Sequence, residues 1–191
     1  MVFNAKGGVG KTAVSLNIAL THGYAVVTND PLSIIDSVLE KNRHAILDDG
    51  EPLPEIDADI PVLYDFGGFP DQRAIPALKE AQALIVPTLS HSETLQTTLN
   101  FLEEIRKYKR AGILVVVNQA GEKEYQAVKS VLSEFYPDLP VLPLKKSKVI
   151  GRMIRNAKSI AEIVQENGLN AYHFGAIQKQ FNRIFEHLSH I

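Results

Sequence analysis

The stretch KGGVGKT at residues 6–12 constrains the fold of this chain more than any other feature. A short apolar run, residues 1–3, precedes it, and a helix-forming run, residues 13–20, follows it. Glycines between a strand and a helix let backbone N–H groups surround a polyphosphate, and the helix points its positive end at the anion. Lys11 is then expected to reach the β- and γ-phosphates, and the Thr12 hydroxyl to bind Mg²⁺. The predicted phosphate-binding residues are Gly7, Gly8, Val9, Gly10, Lys11, Thr12 and Ala13.

The motif departs from the general phosphate-loop pattern G-x-x-x-x-G-K-[ST], because Ala5 occupies the position of the first glycine. The pattern K-G-G-x-G-K-T resembles the deviant Walker-A ATPases of the ParA/MinD group. The resemblance implies ATP and Mg²⁺ as cofactors, and a homodimer that forms when ATP is bound. It also implies that Lys6 crosses the dimer interface to the partner's nucleotide. The alternative, a flexible glycine turn with two surface lysines, leaves seven matched residues in a strand-to-helix setting unexplained.

Length and composition favour one domain, residues 1–191, with C-terminal helices from about residue 159 packed on it. The chain has no cysteine, which excludes disulfides, thiol catalysis and cysteine-held metal clusters. No apolar run approaches the roughly 20 residues needed to cross a bilayer. We therefore expect a cytoplasmic protein, and the resemblance adds association with the nucleoid.

Continuous apolar runs alternate with helical patterns along most of residues 1–160. Buried strands are predicted at 24–28, 60–65, 83–87, 113–118 and 139–143, and a possible short strand at 45–47. Helices are predicted at 11–22, 32–41, 72–81, 93–109, 122–135, 159–165 and 172–188. This alternation predicts an α/β fold, and the phosphate loop with its resemblance to the ParA/MinD group implies the P-loop NTPase type. Its sheet is mostly parallel and twisted, with helices on both faces joined by right-handed crossovers.

Two aspartates at predicted strand ends are candidates for the chemistry of a phosphate site. Asp65 ends an apolar strand, the Walker-B arrangement, and is predicted to hold Mg²⁺ together with Thr12. Gly67 and Gly68 follow it, so the backbone there is expected to approach the γ-phosphate and to move when this phosphate leaves. Asp30 follows the strand 24–28, at the end of a parallel strand where ligands of open α/β sheets bind.

The segment that contains Asp30 partly matches the family pattern D-x-D-P, since Thr28 replaces its first aspartate. In relatives the second aspartate helps to orient the attacking water, so the resemblance implies a catalytic set of Lys6, Lys11 and Asp30. Asp30 also suits the cap of a helix beginning near Leu32, and the two roles are compatible.

The tip of strand 113–118 bears on the identity of the base. Guanine-specific P-loop proteins have N-K-x-D here, whereas this chain has Gln119 and Gly121 in place of the lysine and the aspartate. Adenine is therefore favoured over guanine. By resemblance, Asn118 and Pro143 are candidate base contacts, although an asparagine in a strand-end turn explains Asn118 equally well.

Residues 144–158 carry six basic side chains and no acidic one, in a chain whose net charge is −2. In ParA relatives a basic surface in this part of the chain binds nucleoid DNA after ATP has formed the dimer. Such contacts to DNA phosphates do not read sequence. A solvated face or contacts to an acidic partner are the alternatives. The candidate DNA contacts are Lys145, Lys146, Lys148, Arg152, Arg155 and Lys158. Among them, we expect Arg152, Arg155 and Lys158 to share a helix face.

The resemblance leads to the hypothesis of a ParA-like ATPase that partitions or positions plasmid or chromosomal DNA. Its hydrolysis is expected to be slow and stimulated by a ParB-like partner protein. The alternatives are a MinD-like membrane-associated positioning ATPase and a conjugation or cargo-positioning ATPase that acts through protein partners. The polar side of helix 172–188 carries only Lys179 and Arg183 as cations, so packing on the sheet explains its apolar stripe better than membrane binding.

Overall fold

The computed structural model describes residues 1–57, 59–67, 71–109 and 111–191. Its strands are β1 (Val2–Asn4), β2 (Ala25–Thr28), β3 (His44–Ile46), β4 (Val62–Gly67), β5 (Leu84–Thr88), β6 (Ile113–Asn118) and β7 (Val141–Leu144). Its helices are α1 (Lys11–His22), α2 (Ile35–Val38), α3 (Ala74–Glu80), α4 (Ser92–Ile105), α5 (Glu122–Phe135), α6 (Val149–Asn156), α7 (Ile160–Gln165) and α8 (Gly168–Leu188).

The seven strands form one sheet in the order β3-β2-β4-β1-β5-β6-β7, and each strand pairing of the described residues is parallel. This confirms the predicted fold class. Since β1 lies in the middle, the loop that follows it is flanked by the ends of β4 and β2 on one side. On the other side lie the ends of β5, β6 and β7. The order therefore brings residues that are distant in sequence to one edge of the sheet.

The core consists of two layers, one on each face of the sheet, as strand periodicity requires. In β6, Leu114 and Val116 pack with α1, α2, α6, α7 and α8, whereas Val115 and Val117 pack with α3, α4 and α5. The apolar stripe of α8 lies in the first layer, where Ile177, Phe181 and Ile184 are fully buried. The apolar stripe of α8 and the buried side chains of α7 thus contribute to this layer of the core.

The predicted helix 32–41 is wrong in its extent, because only Ile35–Val38 is helical. Leu32 is 89% exposed and Ile34 is 41% exposed. Local turn bonds compete with the helix: the backbone N–H groups of Leu32 and Ser33 donate to the side chain and the carbonyl of Asp30.

Several other helix boundaries differ from the predicted ones. The last helix begins at Gly168 rather than at 172, because the side chain of Asn167 caps it by accepting a hydrogen bond from Asn170 N. The third helix begins at Ala74 rather than near 72, and α4 ends at Ile105 rather than 109. The short strand expected at 45–47 is present as His44–Ile46.

Candidate nucleotide site

The phosphate loop between β1 and α1 opens into a cavity of about 510 Å³ at the carboxyl ends of the strands. This edge of a parallel sheet is where ligands bind in open α/β folds. The cavity brings together most of the predicted phosphate and magnesium residues. Its lining consists of Gly7, Gly8, Gly10, Lys11, Thr12, Ala13, Thr28, Asn29, Asp30, Pro31, Asp65 and Gly67.

A larger cavity of about 680 Å³ lies at the opposite, amino edge of the sheet. Its lining includes Met1, Tyr24, Leu63 and Phe185 but none of the predicted phosphate residues. Size alone would favour this cavity. The smaller cavity is the candidate nucleotide site, because, of these two cavities as the described residues line them, it is the one where backbone N–H groups, a lysine and a carboxylate converge.

Lys11 lies inside the phosphate cavity and is only 9% exposed. Its Nζ donates to the carbonyl oxygen of Lys6 at 3.1 Å, across the loop. Burial lowers the pKa of Lys11, while the negative charges of Asp65 and Asp30 act in the opposite direction. A partly desolvated ammonium group held in this way gains strongly from a phosphate placed beside it.

Asp65 lies next to Thr12 at the base of the cavity and is 3% exposed. Ser15 Oγ donates to Asp65 Oδ1 at 3.0 Å, a contact that the sequence analysis missed. Burial raises the pKa of Asp65, and hydrogen bonds from Thr12 and Ser15 and the charge of Lys11 oppose this rise. A carboxylate beside a hydroxyl is the hard-oxygen environment that Mg²⁺ prefers, with phosphate oxygens and water as further ligands.

This arrangement fits Mg²⁺ held jointly with a phosphate, rather than by protein groups alone. Within the described parts of the chain, no cluster of three or more His, Cys, Asp or Glu side chains is placed to hold a metal. Magnesium sites of phosphate-transfer proteins characteristically use one or two protein oxygens and complete the shell with phosphates and water. Thr12 and Asp65 are the protein groups in this cavity that would hold the ion.

Asp30 is exposed at the rim of the cavity, where its Oδ1 accepts a hydrogen bond from Leu32 N at 3.0 Å. It therefore shapes the turn after β2 while its carboxylate stays on the cavity wall. Thr28, which replaces the first aspartate of the D-x-D-P pattern, is fully buried. Its hydroxyl donates to Asp65 O at 2.8 Å and so ties β2 to β4.

Lys6 does not line the cavity among the described residues, and its side chain is 34% exposed. Its ammonium group forms an ion pair with Glu93, at the start of α4 in the same chain. The backbone N–H of Lys6 donates to the buried Asn4 Oδ1 at 3.0 Å. Asn4, at the end of β1, in turn donates to Thr98 of α4, so α4 is linked to the phosphate loop directly through Glu93 and indirectly through Asn4.

Asn118 braces the phosphate loop. Its Nδ2 donates to Val9 O at 2.8 Å, and its Oδ1 accepts from Gln119 N at 2.9 Å. Asn118 also lines a smaller cavity of about 220 Å³ that adjoins the phosphate loop and is large enough for a flat heterocycle. We call it the second cavity. Pro143, in β7, is absent from the described lining of this cavity, so its predicted base contact stays a prediction. The lining is Gly10, Ala13, Val14, Asn118, Gln119, Leu144, Lys145, Lys146, Ser147, Ile150, Ile177 and Phe181.

The six basic residues do not form one free surface. Lys145 and Lys146 line the second cavity, beside the phosphate loop. Arg152 and Lys158 both bond the carboxylate of Glu166, with donor–acceptor distances of 2.5 and 3.0 Å. The expectation that Arg152, Arg155 and Lys158 share a helix face is wrong for Lys158. Helix α6 ends at Asn156, and the left-handed Ala157 turns the chain before Lys158.

A network beside the cavity was also missed. The side chain of Asn29 bonds the backbone of Gly67 and the carboxylate of Asp71. Arg73 pairs with Asp71 and donates to the carbonyl oxygens of Asp48 and Glu51. Gly68, predicted to follow the γ-phosphate, lies outside the described residues.

A phosphate loop after the central strand β1, with Thr12 at the start of α1 and Asp65 on the neighbouring strand β4, is the arrangement of the P-loop fold. No protein-family model matches the sequence, and no curated protein matches it. Solved structures do share its fold.

Apo McdA of Cyanothece is 14% identical to this chain, with a TM-score of 0.69 over 98% of this chain and 97% of McdA. MinD of Pyrococcus horikoshii, complexed with Mg-ADP, is 18% identical, with a TM-score of 0.62 over 91% and 90%. A ParA family ATPase of Chlorobium tepidum is 14% identical, with a TM-score of 0.61 over 94% and 95%. The chain therefore has the fold of the McdA, MinD and ParA ATPases, and the predicted resemblance is confirmed at that level.

Proposed function

We propose that this chain is a ParA/MinD-type ATPase that binds ATP with Mg²⁺, dimerises around it and positions DNA. The observation that carries the proposal is the phosphate cavity, where Lys11, Thr12 and Asp65 converge below the glycine loop. The nucleotide-bound states in which the neighbours were solved support it: McdA with ATP and MinD with Mg-ADP.

In this proposal the base occupies the second cavity and the phosphates lie on the loop between β1 and α1. Lys11 neutralises charge on the β- and γ-phosphates, and the backbone N–H groups of residues 7–12 bind their oxygens. Thr12 and Asp65 would hold Mg²⁺, Asp65 directly or through water, and the ion would screen the charge that develops on the phosphates. Asp30, on the cavity wall, accepts a hydrogen bond from the attacking water and so orients it.

In this proposal dimerisation involves Lys6, the first residue of the KGGVGKT loop, which forms an ion pair with Glu93 of its own chain. A phosphate of the partner's nucleotide offers this ammonium group a stronger partner than one exposed carboxylate. We therefore propose that Lys6 exchanges Glu93 for the partner's nucleotide in an ATP-dependent homodimer. Hydrolysis removes that phosphate and releases the dimer, and a ParB-like protein accelerates this step.

The proposed DNA contacts are those cations that are not bonded to Glu166. Lys148 and Arg155 are exposed near α6, and Lys145 and Lys146 lie next to the nucleotide, where dimer formation can reorganise them. DNA binding of this kind would place the protein on the nucleoid in the cytoplasm. No helix in the described parts of the chain is long and apolar enough to cross a membrane.

One observation favours a second candidate, a cargo-positioning ATPase that works through protein partners. Glu166 accepts bonds from both Arg152 and Lys158, which reduces the cationic surface left for DNA. The membrane-bound alternative is less favoured, since the apolar stripe of α8 is already buried in the core.

The test is DNA binding at near-physiological salt with no nucleotide, with ADP or with a non-hydrolysable ATP analogue. Lys6→Ala is run alongside, and sedimentation reports the dimer. Binding with the ATP analogue alone, lost in Lys6→Ala, is the expected result. If the chain forms a nucleotide-dependent dimer that does not bind DNA, the result would favour the cargo-positioning candidate instead. A chain that binds no nucleotide would overturn the proposal altogether.

A further inference from the structure

The side chain of Asn29 forms hydrogen bonds with Gly67, on one wall of the phosphate cavity, and with Asp71. Its Oδ1 accepts a hydrogen bond from Gly67 N at 2.9 Å, and its Nδ2 donates to Gly67 O at 3.1 Å. The same Nδ2 donates to Asp71 Oδ2 at 2.7 Å. The Asn29 side chain therefore binds both the N–H and the carbonyl oxygen of Gly67, and it connects this backbone to Asp71.

The Gly67 backbone lies beside the lysine of the phosphate loop. A Cβ atom built on Gly67 would be 3.9 Å from Lys11 Cε, and both residues line the cavity. The position of the Gly67 backbone therefore limits the volume available to a ligand beside the Lys11 side chain.

Asn29 is itself supported from behind. Arg73 pairs with Asp71 through two nitrogens, Nε to Oδ1 at 2.9 Å and Nη2 to Oδ2 at 2.8 Å. Arg73 Nη1 donates to Asp48 O and Glu51 O, each at 2.8 Å. The side chains of Asp71 and Arg73 are only 12% and 13% exposed, so the bond from Asn29 ends on an anchored carboxylate.

The order of the strands shows which part of a nucleotide would meet this wall. The second cavity, which we propose holds the base, lies at the carboxyl ends of β6 and β7, and the phosphate loop follows the central strand β1. Gly67 ends β4 and Asn29 follows β2, both on the other side of the loop. A nucleotide whose base lies at β6–β7 therefore directs its terminal phosphate towards Gly67 and Asn29.

We propose that Asn29 is a positioning residue that lets this site distinguish a nucleoside triphosphate from a diphosphate. The inference rests on the proposed nucleotide site. With Gly67 held next to Lys11, the terminal phosphate of a triphosphate meets a wall that is already in place. The shorter diphosphate is bound by the loop alone and does not depend on that wall. Asn29 acts through Gly67 and need not touch the nucleotide.

The experiment compares the dissociation constants of a non-hydrolysable ATP analogue and of ADP, both with Mg²⁺, by titration calorimetry. In Asn29→Ala, triphosphate affinity should fall about tenfold while ADP affinity stays within about twofold of the parent chain. Asp71→Asn, which removes the anchor but no cavity residue, should lower triphosphate affinity about threefold. Asn42→Ala, at an exposed asparagine outside this cavity, is the matched control and should change neither constant.

Thermal unfolding of each variant identifies changes that come from folding alone. Equal losses of ATP-analogue and ADP affinity in Asn29→Ala, or no loss at all, would overturn the inference while the proposed function stands. If Asn29→Ala does not fold, Asp71→Asn decides: an unchanged ratio of the two constants refutes the role of Asn29. A parent chain that binds neither nucleotide overturns the proposed function first, and the inference with it.

Discussion

Replacement of Gly10 by alanine tests the geometry of the phosphate loop without any ligand. Gly10 has a φ of +92°, in the left-handed region, and precedes the first residue of α1. A Cβ atom at this position would lie 2.2 Å from Asn118 Nδ2, far inside contact distance. Asn118 is 8% exposed, and the same Nδ2 donates to Val9 O, so it cannot move away without losing that bond.

Two costs combine in Gly10→Ala. A side chain in the left-handed region costs about 1 kcal/mol, and breaking the bond from Asn118 to Val9 O costs about another 1 kcal/mol, more if the buried carbonyl stays unpaired. We expect a loss of about 2–3 kcal/mol in the free energy of unfolding. For a domain of this size that corresponds to a fall in Tm of roughly 5–10 °C.

The assay is urea unfolding of the nucleotide-free chain, with two informative comparisons. Gly8 also has a positive φ, +75°, but no described heavy atom lies within 4 Å of the position that a Cβ atom would take there. Gly8→Ala should therefore show the backbone cost of about 1 kcal/mol alone. Asn118→Ala removes the clashing group, so adding it to Gly10→Ala should cost less than the sum of the two single changes.

Equal losses in Gly8→Ala and Gly10→Ala would refute the claimed contact with Asn118. Strict additivity of Gly10→Ala and Asn118→Ala would refute it as well, because two residues in steric conflict must show coupling.

Three further predictions concern other contacts. Hydrogen bonding from Arg73 lowers the pKa of Asp71 from 3.8 to about 2, so the carboxylate stabilises the fold above about pH 4, and this stabilisation is lost as the pH falls towards 2. Asp71→Asn should cost about 1 kcal/mol at pH 7, after allowance for solvent screening, and urea titrations at descending pH should show the difference vanish. Glu93→Gln should free Lys6 and strengthen the dimer formed with an ATP analogue in sedimentation; an unchanged dimer affinity would show that their ion pair does not compete with assembly. Phe181→Ala empties a fully buried position and should cost about 4 kcal/mol in urea unfolding, and a loss below about 1 kcal/mol would contradict the packing of α8.

Local patterns explain why much of the fold could be predicted. Helix α1 runs over the predicted residues because Gly23, with a φ of +76°, caps it in the left-handed region. Strand β6 also has its predicted bounds, since six consecutive buried residues are typical of a central parallel strand. Where neighbouring turn bonds were stronger than the helical pattern, as after Asp30, the prediction of residues 32–41 was wrong.

Residue type and spacing were enough to predict the phosphate loop, the alternation of strands and helices, and the apolar strand that carries Asp65, although β4 continues past Asp65 to Gly67. Each depends on residues close together in the chain, where local preferences decide the backbone conformation. Those same local signals located the candidate site at one edge of a parallel sheet.

The partners of the site residues, in contrast, depend on the folded arrangement of the whole chain. Lys6 and Glu93 are 87 residues apart, and Asn29 and Gly67 are 38 apart, so their contacts exist only because the strand order brings them together. The sequence likewise predicts one cationic surface over residues 144–158, whereas in the folded chain Glu166 accepts hydrogen bonds from two of those cations, Arg152 and Lys158. A sequence shows which charges a chain carries, whereas the fold determines which of them are already paired, because pairing depends on distance in space.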